Sequence, residues 1–320
     1  MDRIVIPNTE LSVSQIGLGT VGAGIDWDGA DADRIFDTYL DLGGNVIDSA
    51  HVYSDWIPPE IARSERVVGD WLQRSGKRKE IVLITKGGHP DMLGEHPDIH
   101  ISRMRKSDMV GDLEASLRQL RTDYIDIYFY HRDDIKQPVE QLVDVMQGFV
   151  KEGKIRYYAC SNWSARRMKE AEAYTKKMGY RGFIANQALL NVGSKYMKPL
   201  ADDTMEAVDE EMYRYHKENT SNLLMPYMGV CSGFFHIYIS KGEEAVKNSP
   251  YYTKNNLQIA EHLKKLMGKY GCTVSQTVLG FFMQQEFSCV PLYGPQNIEQ
   301  LRDAMETPEI PFSKEDYDFQ

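Results

Sequence analysis

The sequence has none of the features typical of membrane-spanning, nucleic-acid-binding or disulfide-stabilised proteins. No apolar run reaches the roughly 18 residues that a membrane span needs, and the N-terminal stretch MDRIVIPN lacks a signal-peptide core. The formal net charge of −10 argues against nucleic acid or an anionic membrane as a partner. There are only four cysteines, and their spacing is neither that of disulfides nor that of zinc sites: Cys160, Cys231, Cys272 and Cys289. We therefore expect a cytoplasmic protein that acts on a small molecule, of an oligomeric state that the sequence does not indicate.

Length and patterning predict the fold. A chain of 320 residues, 42% of them hydrophobic, can form two domains or one α/β barrel of about 250 residues with insertions. Short apolar runs rich in β-branched residues alternate with amphipathic stretches, and no low-complexity linker separates them. The runs that we interpret as strands are 13–19, 45–50, 81–86, 125–131, 155–161, 183–188, 222–227 and 288–293.

This alternation favours one fold class. Eight β-then-α units without a linker predict a closed (β/α)8 barrel that spans 1–320 as a single domain with long βα loops. A short N-terminal β-hairpin with its turn at Pro7-Asn8 is expected ahead of the barrel. A doubly wound open sheet would give a similar pattern and stays open as the alternative.

A glycine-rich stretch near the N-terminus raises the question of a dinucleotide-binding fingerprint. GLGTVGAG contains Gly17-x-Gly19-x-x-Gly22, the spacing of a Rossmann phosphate loop. In that fold a helix starts at the glycines, but here the helical pattern begins only near Asp31, with Asp31 or Asp33 as its cap. The motif alone is therefore weak evidence for a Rossmann domain.

Polar side chains follow strand after strand in the predicted sheet. Because the active residues of such barrels lie where strands end, they are candidate site residues: Asp48, Tyr53, Lys86, His131, Ser161, Asn162, Gln187 and Tyr227. Any one of them alone is more often a cap, a turn former or packing. Asp48, Tyr53, Lys86 and His131 nevertheless form a chemically coherent set.

These four residue types suit hydride transfer to a carbonyl. A phenol with a pKa near 10 is a weak acid, so Tyr53 needs a nearby cation, which Lys86 can supply. Asp48 would keep a buried Lys86 charged through an ion pair. His131 would donate a hydrogen bond that orients the carbonyl oxygen.

Motifs along the chain resemble those of the aldo-keto reductases, in order and over nearly the whole length. They are GLGT (17–20), NVIDSAHVY (45–53), TK (85–86), SLRQLRTDYIDIYFYHRDD (116–134), KEGKIRYYACSNW (151–163) and NQ (186–187). The resemblance implies a (β/α)8 barrel that binds NAD(H) or NADP(H) in extended form without a Rossmann fold. It also implies that Asp48, Tyr53, Lys86 and His131 are the catalytic tetrad, with Tyr53 as general acid and base.

The resemblance assigns further residues to the cofactor. Ser161, Asn162 and Gln187 would bind the nicotinamide carboxamide, and Tyr227 would stack on its ring. The other implied contacts are Gly19, Thr20 and Asp48 beside the nicotinamide, Ser232 and Gly233 over the pyrophosphate, and Gly294, Gln296 and Gln300 after the eighth strand. That last loop lacks the Lys or Arg that often neutralises the 2′-phosphate of NADPH in the family, so NAD(H) is slightly favoured.

Three long loops, 55–63, 87–101 and 190–212, are expected to shape the substrate pocket. The candidate pocket residues are Val21, Trp56, His89, His131 and Arg132. Arg132 would bind an anionic or polyhydroxylated substrate, although an ion pair with Asp133 or Asp134 explains it equally well. His89, His96 and His100 share one loop, but their spacing fits no standard metal site, and we predict no metal.

The function predicted from the sequence is the reversible, NAD(P)H-dependent reduction of an aldehyde, ketone or keto-sugar to an alcohol. Two interpretations from other classes remain. One is a nucleotide-sensing or regulatory subunit that keeps the fold. The other is a metal-dependent lyase or isomerase on the same barrel, which the loop histidines would serve.

Overall fold

The computed structural model describes residues 2–93 and 96–318, and a parallel sheet of eight strands forms its centre. The strands are β3 (Gly17–Gly19), β4 (Val46–Asp48), β5 (Val82–Gly87), β6 (Ile125–Tyr130), β7 (Ile155–Ser161), β8 (Phe183–Gln187), β9 (Leu223–Leu224) and β10 (Leu292–Tyr293). Their order is β10-β3-β4-β5-β6-β7-β8-β9. The backbone N–H of Val290 donates to the carbonyl of Leu224 over 2.9 Å, which joins the two ends of the sheet. The predicted barrel is confirmed, and the open-sheet alternative is wrong.

A β-hairpin precedes the barrel, as predicted. Strands β1 (Arg3–Val5) and β2 (Ser12–Ser14) pair antiparallel, and Asn8 adopts the left-handed conformation (φ 60°) in the connecting turn. The hairpin contributes three buried side chains to the apolar cluster inside the barrel: Ile6, Leu11 and Val13. Because that cluster includes Val46 and Val82 at the start of their strands, the hairpin closes the N-terminal end of the barrel.

Ten α-helices of the described residues cover the outside of the barrel. They are α1 (Gly29–Asp41), α2 (Arg63–Ser75), α3 (Lys106–Gln119), α4 (Val139–Lys151), α5 (Ala165–Met178), α6 (Glu210–Glu218), α7 (Phe234–Lys241), α8 (Lys254–Tyr270), α9 (Val274–Met283) and α10 (Ile298–Met305). Their apolar faces and the outward side chains of the strands form one large core. In the part of the chain that is described, none of these helices is long and apolar enough to cross a membrane.

The glycine-rich stretch does not form a dinucleotide-binding turn. Gly17 to Gly19 are strand β3, and α1 begins only at Gly29, where the carboxylate of Asp28 accepts from the first backbone N–H. The prediction of Asp31 or Asp33 as the cap of this helix is therefore wrong. Gly17 serves packing instead, because a Cβ there would lie 2.8 Å from the side chain of Leu292 on the neighbouring strand.

Candidate active site

Asp48, Tyr53, Lys86 and His131 come together at the carboxyl ends of the strands. Asp48 ends β4, Lys86 lies next to the last residue of β5, and His131 directly follows β6. Tyr53 belongs to the loop after β4. Lys86 is 1% exposed, and its Nζ donates to Asp48 Oδ2 (2.7 Å), Tyr53 Oη (2.8 Å) and the carbonyl of Ser49 (2.8 Å).

The geometry around Lys86 favours the charged amine. An ammonium group has three hydrogens to donate, and the three acceptors around Nζ match that number. Burial lowers the pKa of Lys86, whereas the neighbouring carboxylate of Asp48 opposes the shift. The ion pair predicted between these two side chains is present in the structure, and it places a cation against the phenol of Tyr53.

Tyr53 is held in its protonated form. Burial and the negative charge of Asp48 raise the pKa of the phenol well above its usual value, against a smaller opposing effect of Arg132. A protonated phenol is the form that can give a proton to a substrate oxygen. The hydrogen bond from Lys86 to Oη would stabilise a phenolate at this position.

His131 is a neutral imidazole beside the phenol. Its ring centroid lies 5.8 Å from that of Tyr53 in an edge-on arrangement, and the residue is 8% exposed. Burial, reinforced by the positive charges of Arg132 and Lys86, keeps the pKa of His131 well below its usual value. Its Nδ1 is buried without a hydrogen-bond partner among residues 2–93 and 96–318. A neutral imidazole can donate to a carbonyl oxygen without giving up its proton.

Polar side chains from β7 and β8 adjoin these four residues. Gln187 Nε2 donates to Asp48 Oδ1 over 2.7 Å, which ties β8 to β4 across the mouth of the barrel. The hydroxyl of Ser161 accepts from Asn162 Nδ2 over 3.1 Å and retains its own proton for donation. Amide and hydroxyl groups of this kind suit the carboxamide of a nicotinamide, which needs both donors and acceptors.

Asn162 also has a structural role that the sequence did not indicate. It sits in the left-handed region (φ 60°), and its Oδ1 accepts from Tyr227 Oη (2.6 Å) and from the backbone N–H of Glu206 (3.0 Å). Its Nδ2 donates to the carbonyl of His131 over 3.0 Å. One side chain therefore connects the loops after β6, β8 and β9, and it holds Tyr227 at the rim.

The first and eighth βα loops lie against each other. A Cβ on Gly294 would lie 3.5 Å from the carbonyl oxygen of Gly19, an ordinary van der Waals distance, so the two loops are in contact. Thr20 is fully buried, and its Oγ1 donates to the carbonyl of Asp48 and contacts the hydroxyl of Ser64. Thr20 therefore fixes the end of β4, and its backbone is engaged as well, because its N–H donates to the carbonyl of Asp48 and its carbonyl accepts from Ser64 Oγ.

The remaining predicted cofactor residues lie at two helix starts. Ser232 is exposed and Gly233 is left-handed (φ 76°) directly before α7. At α10, Gln300 Oε1 accepts from the backbone N–H of Gln296, and Asn297 caps the N–H of Gln300. This turn presents amides and the carboxylate of Glu299, and residues 294–300 include no cation.

Arg132 pairs with a residue from a distant part of the sequence. Its Nη2 lies 2.9 Å from Asp202 Oδ2, and its Nε donates to Thr204 Oγ1 over 2.8 Å. Asp133 instead pairs with Arg167 at 2.8 Å, so the explanation of Arg132 by Asp133 or Asp134 is wrong. The long segment 190–212 is thereby anchored next to His131 and forms one wall of the site.

The other pocket candidates differ in their exposure. Val21 and Trp56 are 43% and 45% exposed at the rim, and the hydroxyl of Ser54 donates to the carbonyl of Val21. His89 is half-buried, with its ring centroid 4.6 Å from that of His131.

The three loop histidines are not brought together. His96 is exposed, and His100 is exposed with its Nε2 3.6 Å from Asp203. Gly94 and Glu95 of the same loop lie outside the described residues. Within 2–93 and 96–318, no three His, Cys, Asp or Glu side chains are grouped as metal ligands, so nothing in that part favours the lyase or isomerase interpretation.

A second buried charge cluster, behind Lys86, was not predicted. Glu65 is fully buried, accepts from Thr85 Oγ1 at 2.5 Å and lies 3.4 Å from His51 Nδ1. Asp112 lies 3.9 Å from His51 Nε2 and pairs with Arg103 at 2.6 Å. The Ser-Glu pair at 64–65 and the histidine in NVIDSAHVY were visible in the sequence, but their proximity depends on how α2 and α3 pack.

His51 is expected to make stability depend on pH. Burial alone would lower its pKa, but the hydrogen bond and charge of Glu65, with the charge of Asp112, raise it above the ordinary 6.5. Because the pKa of His51 is higher in the folded than in the unfolded state, protonation of His51 stabilises the fold. This stabilisation is complete below about pH 6.5 and is lost as the pH rises through the pKa of the folded state. We expect His51→Gln to reduce the loss of unfolding free energy between pH 6 and 8, measured by urea denaturation.

His100→Gln provides the control for this experiment, because that side chain is 61% exposed. It should leave the pH dependence of the wild type unchanged. An identical slope for His51→Gln and the wild type would contradict the assigned charge of His51.

Residues 15–319 match the Aldo/keto reductase family. The chain belongs to this family. It is 29% identical over 320 residues to Aldo-keto reductase YhdN of Bacillus subtilis (strain 168), covering 96% of this chain and 88% of that protein. An uncharacterized oxidoreductase of the same organism, YrpG, is 27% identical over 323 residues, covering 98% and 93%.

A third relative is fungal. Aryl-alcohol dehydrogenase [NADP(+)] of Phanerodontia chrysosporium is 24% identical over 343 residues, covering 99% of this chain and 84% of that protein. Membership in the aldo/keto reductase family identifies the protein as a carbonyl-reducing oxidoreductase that uses a nicotinamide cofactor. The resemblance noted in the sequence is thus confirmed at the level of the family.

Proposed function

We propose that this aldo/keto reductase reduces an aldehyde, ketone or keto-sugar to the alcohol, and catalyses the reverse oxidation with the same groups. The observation that carries the proposal is the buried ammonium of Lys86, which donates to Asp48 and to the phenol of Tyr53 at once. A phenol in hydrogen-bonding contact with a buried cation is suited to proton exchange with a substrate oxygen. The bound nicotinamide supplies the hydride.

Each of the four side chains then has a separate task. Tyr53 gives its proton to the carbonyl oxygen, and Lys86 stabilises the phenolate that remains. Asp48 keeps Lys86 charged, and Gln187 holds Asp48 from its other oxygen. His131, as a neutral donor, orients the carbonyl oxygen toward Tyr53. In the oxidation direction the phenolate accepts the proton of the alcohol.

The residues at the rim fit a nicotinamide. We assign Ser161, Asn162 and Gln187 to its carboxamide and Tyr227 to the face of its ring, since hydroxyl, amide and aromatic groups lie side by side there. Gly19, Thr20, Ser232 and Gly233 would lie along the border of the cofactor site. Lys86, Asp48 and His131 are all in place around Tyr53, which favours an enzyme over a subunit that only senses nucleotide.

The cellular setting belongs to the same proposal. All four cysteines are free thiols, three of them buried, which suits a reducing compartment such as the cytoplasm. The partner that we assign is a small molecule with a carbonyl or alcohol group.

We expect NADH to bind more tightly than NADPH, by about tenfold in Kd, or about 1.4 kcal/mol. The turn at 294–300 offers a 2′-phosphate no cation, and Glu299 there would repel it. Fluorescence titration of the purified protein with each dinucleotide at one ionic strength measures the two constants. Although the fungal relative is named for NADP(+), the basis of its preference need not be shared.

A matched variant makes the titration specific to this turn. Gln296→Arg places a guanidinium there and should tighten NADPH binding several-fold while NADH binding stays near its wild-type value. Tighter binding of NADPH by the wild type would mean that basic residues elsewhere hold the phosphate. Binding of neither dinucleotide would contradict the proposed function as a whole.

A further inference from the structure

The loop after β5 holds His89 firmly beside the candidate active site. Gly88 is left-handed (φ 79°), and a Cβ on it would lie 2.9 Å from Met109 Sδ, so the turn is tightly packed. The backbone N–H of Gly88 donates to Asp112 Oδ2 over 2.9 Å. The packing and the hydrogen bond of Gly88 therefore fix the backbone from which the imidazole of His89 extends.

The hydrogen bonds of His89 determine which of its nitrogens can accept. Nδ1 lies 2.9 Å from the carbonyl oxygen of Pro90, and a carbonyl only accepts, so Nδ1 carries the hydrogen. In a neutral imidazole the other nitrogen, Nε2, then has a free lone pair. Burial and the positive charge of Arg132 lower the pKa of His89 to about 4, so the ring is neutral at physiological pH. No residue of the described chain bonds Nε2.

The imidazole that carries this acceptor lies next to the groups that we assign to the reacting carbonyl. The ring centroid of His89 is 4.6 Å from that of His131, which in turn is 5.8 Å from Tyr53. Tyr53 and His131 are both donors toward the carbonyl oxygen, whereas His89 presents the opposite polarity. A hydrogen-bond acceptor at this position cannot bond the carbonyl oxygen, because that oxygen is itself an acceptor. It can accept a hydrogen bond from a hydroxyl on the carbon next to the carbonyl.

The charged side chains near His89 and His131 restrict the net charge that the substrate can carry. The positive charge of Arg132 acts on both histidines, but Asp202 pairs with it at 2.9 Å, and Thr204 occupies its Nε. The pair therefore offers little net attraction to a carboxylate, while both members can bind further hydroxyls. This arrangement favours a neutral substrate.

Resting on the proposed function, we propose that His89 Nε2 accepts a hydrogen bond from the hydroxyl on the carbon next to the carbonyl, and that the substrates are neutral α-hydroxy aldehydes or ketones. A site built to bind a hydroxyl discriminates against the analogue that lacks it, because the acceptor is then desolvated without a partner. His89 thus determines specificity for the same reaction that Tyr53 carries out.

Two pairs of substrates of nearly equal size test the proposal. Glycolaldehyde is compared with propanal, and hydroxyacetone with butanone, so that each pair differs by a hydroxyl against a methyl group. We expect the wild type to show at least tenfold higher kcat/KM for the hydroxylated member of each pair. In His89→Phe that ratio should fall about tenfold, because kcat/KM is expected to drop far more for the hydroxylated member of each pair than for propanal or butanone.

Two further variants complete the design. His89→Gln retains an acceptor and should restore part of the preference, whereas His100→Phe changes an exposed histidine of the same loop and should leave the ratio unchanged. Circular dichroism and thermal unfolding establish that each variant is folded. An equal ratio in the wild type and His89→Phe, with all four compounds reduced, would overturn the role of His89 while the reductase function stands. Reduction of none of the four above the Tyr53→Phe background would count against the proposed function, and the inference would fall with it.

Discussion

Replacing Tyr53 with phenylalanine is expected to lower kcat about 10²- to 10⁴-fold, the range that general acid–base catalysis typically contributes. The change removes only the hydroxyl that lies 2.8 Å from Lys86 Nζ and leaves the ring in place against His131. Because no predicted contact to the cofactor uses this oxygen, Kd for the dinucleotide should stay within about threefold of the wild type. Loss of turnover with retained binding is the signature of a group that acts on the reacting atoms.

Steady-state rates and a dinucleotide titration on the same preparations measure the two quantities. Tyr174→Phe is the matched control, because its hydroxyl only donates to Asp144 across the outer surface between α5 and α4. The control should keep full activity. If Tyr53→Phe kept a turnover near that of Tyr174→Phe, another group would have to supply the proton.

The barrel could be predicted from the sequence because each strand is followed by its own amphipathic helix. Strand β5 (Val82–Gly87) is buried along its full length, and the next helix along the chain, α3 (Lys106–Gln119), has one buried face. The last part of the chain was harder to interpret. Helix α9 (Val274–Met283) is buried on almost all sides, so its sequence shows no amphipathic period, and it was not predicted.

Three of the four central candidate residues could be placed together for a related reason, and Tyr53, which lies in a loop, is the exception. Parallel strands bring their carboxyl ends to the same edge of the sheet. Polar residues such as Asp48 and Lys86 therefore lie close together, independently of the conformation of the loops. Partners supplied by loops and helices could not be predicted in this way. Asp133 is adjacent to Arg132 in the sequence, yet the partner of Arg132 is Asp202, which the segment 190–212 carries back over the barrel.

Replacing Asp48 with asparagine is expected to lower the free energy of unfolding by about 3–5 kcal/mol and to abolish most activity, because it leaves the buried charge of Lys86 uncompensated. Asp48 accepts on both sides, from Lys86 at Oδ2 and from Gln187 at Oδ1. An asparagine side chain has one oxygen and one NH2 group, so its NH2 faces either Lys86, which is a donor only, or Gln187, whose amide would have to flip to accept. Urea denaturation at pH 7 measures the loss.

The exposed pair of Asp33 with Arg74 supplies the control, because Asp33→Asn should cost at most about 1 kcal/mol. A second step separates the charge effect from a packing effect. Lys86→Met alone leaves the buried carboxylate of Asp48 without its cation, so it should also lower the free energy of unfolding. Combined with Asp48→Asn, it removes both charges. The double variant should therefore lose less stability than the two single losses added together. If the losses simply added, the buried pair would not be coupled through its charges, and the cation assigned to support Tyr53 would lose its physical basis.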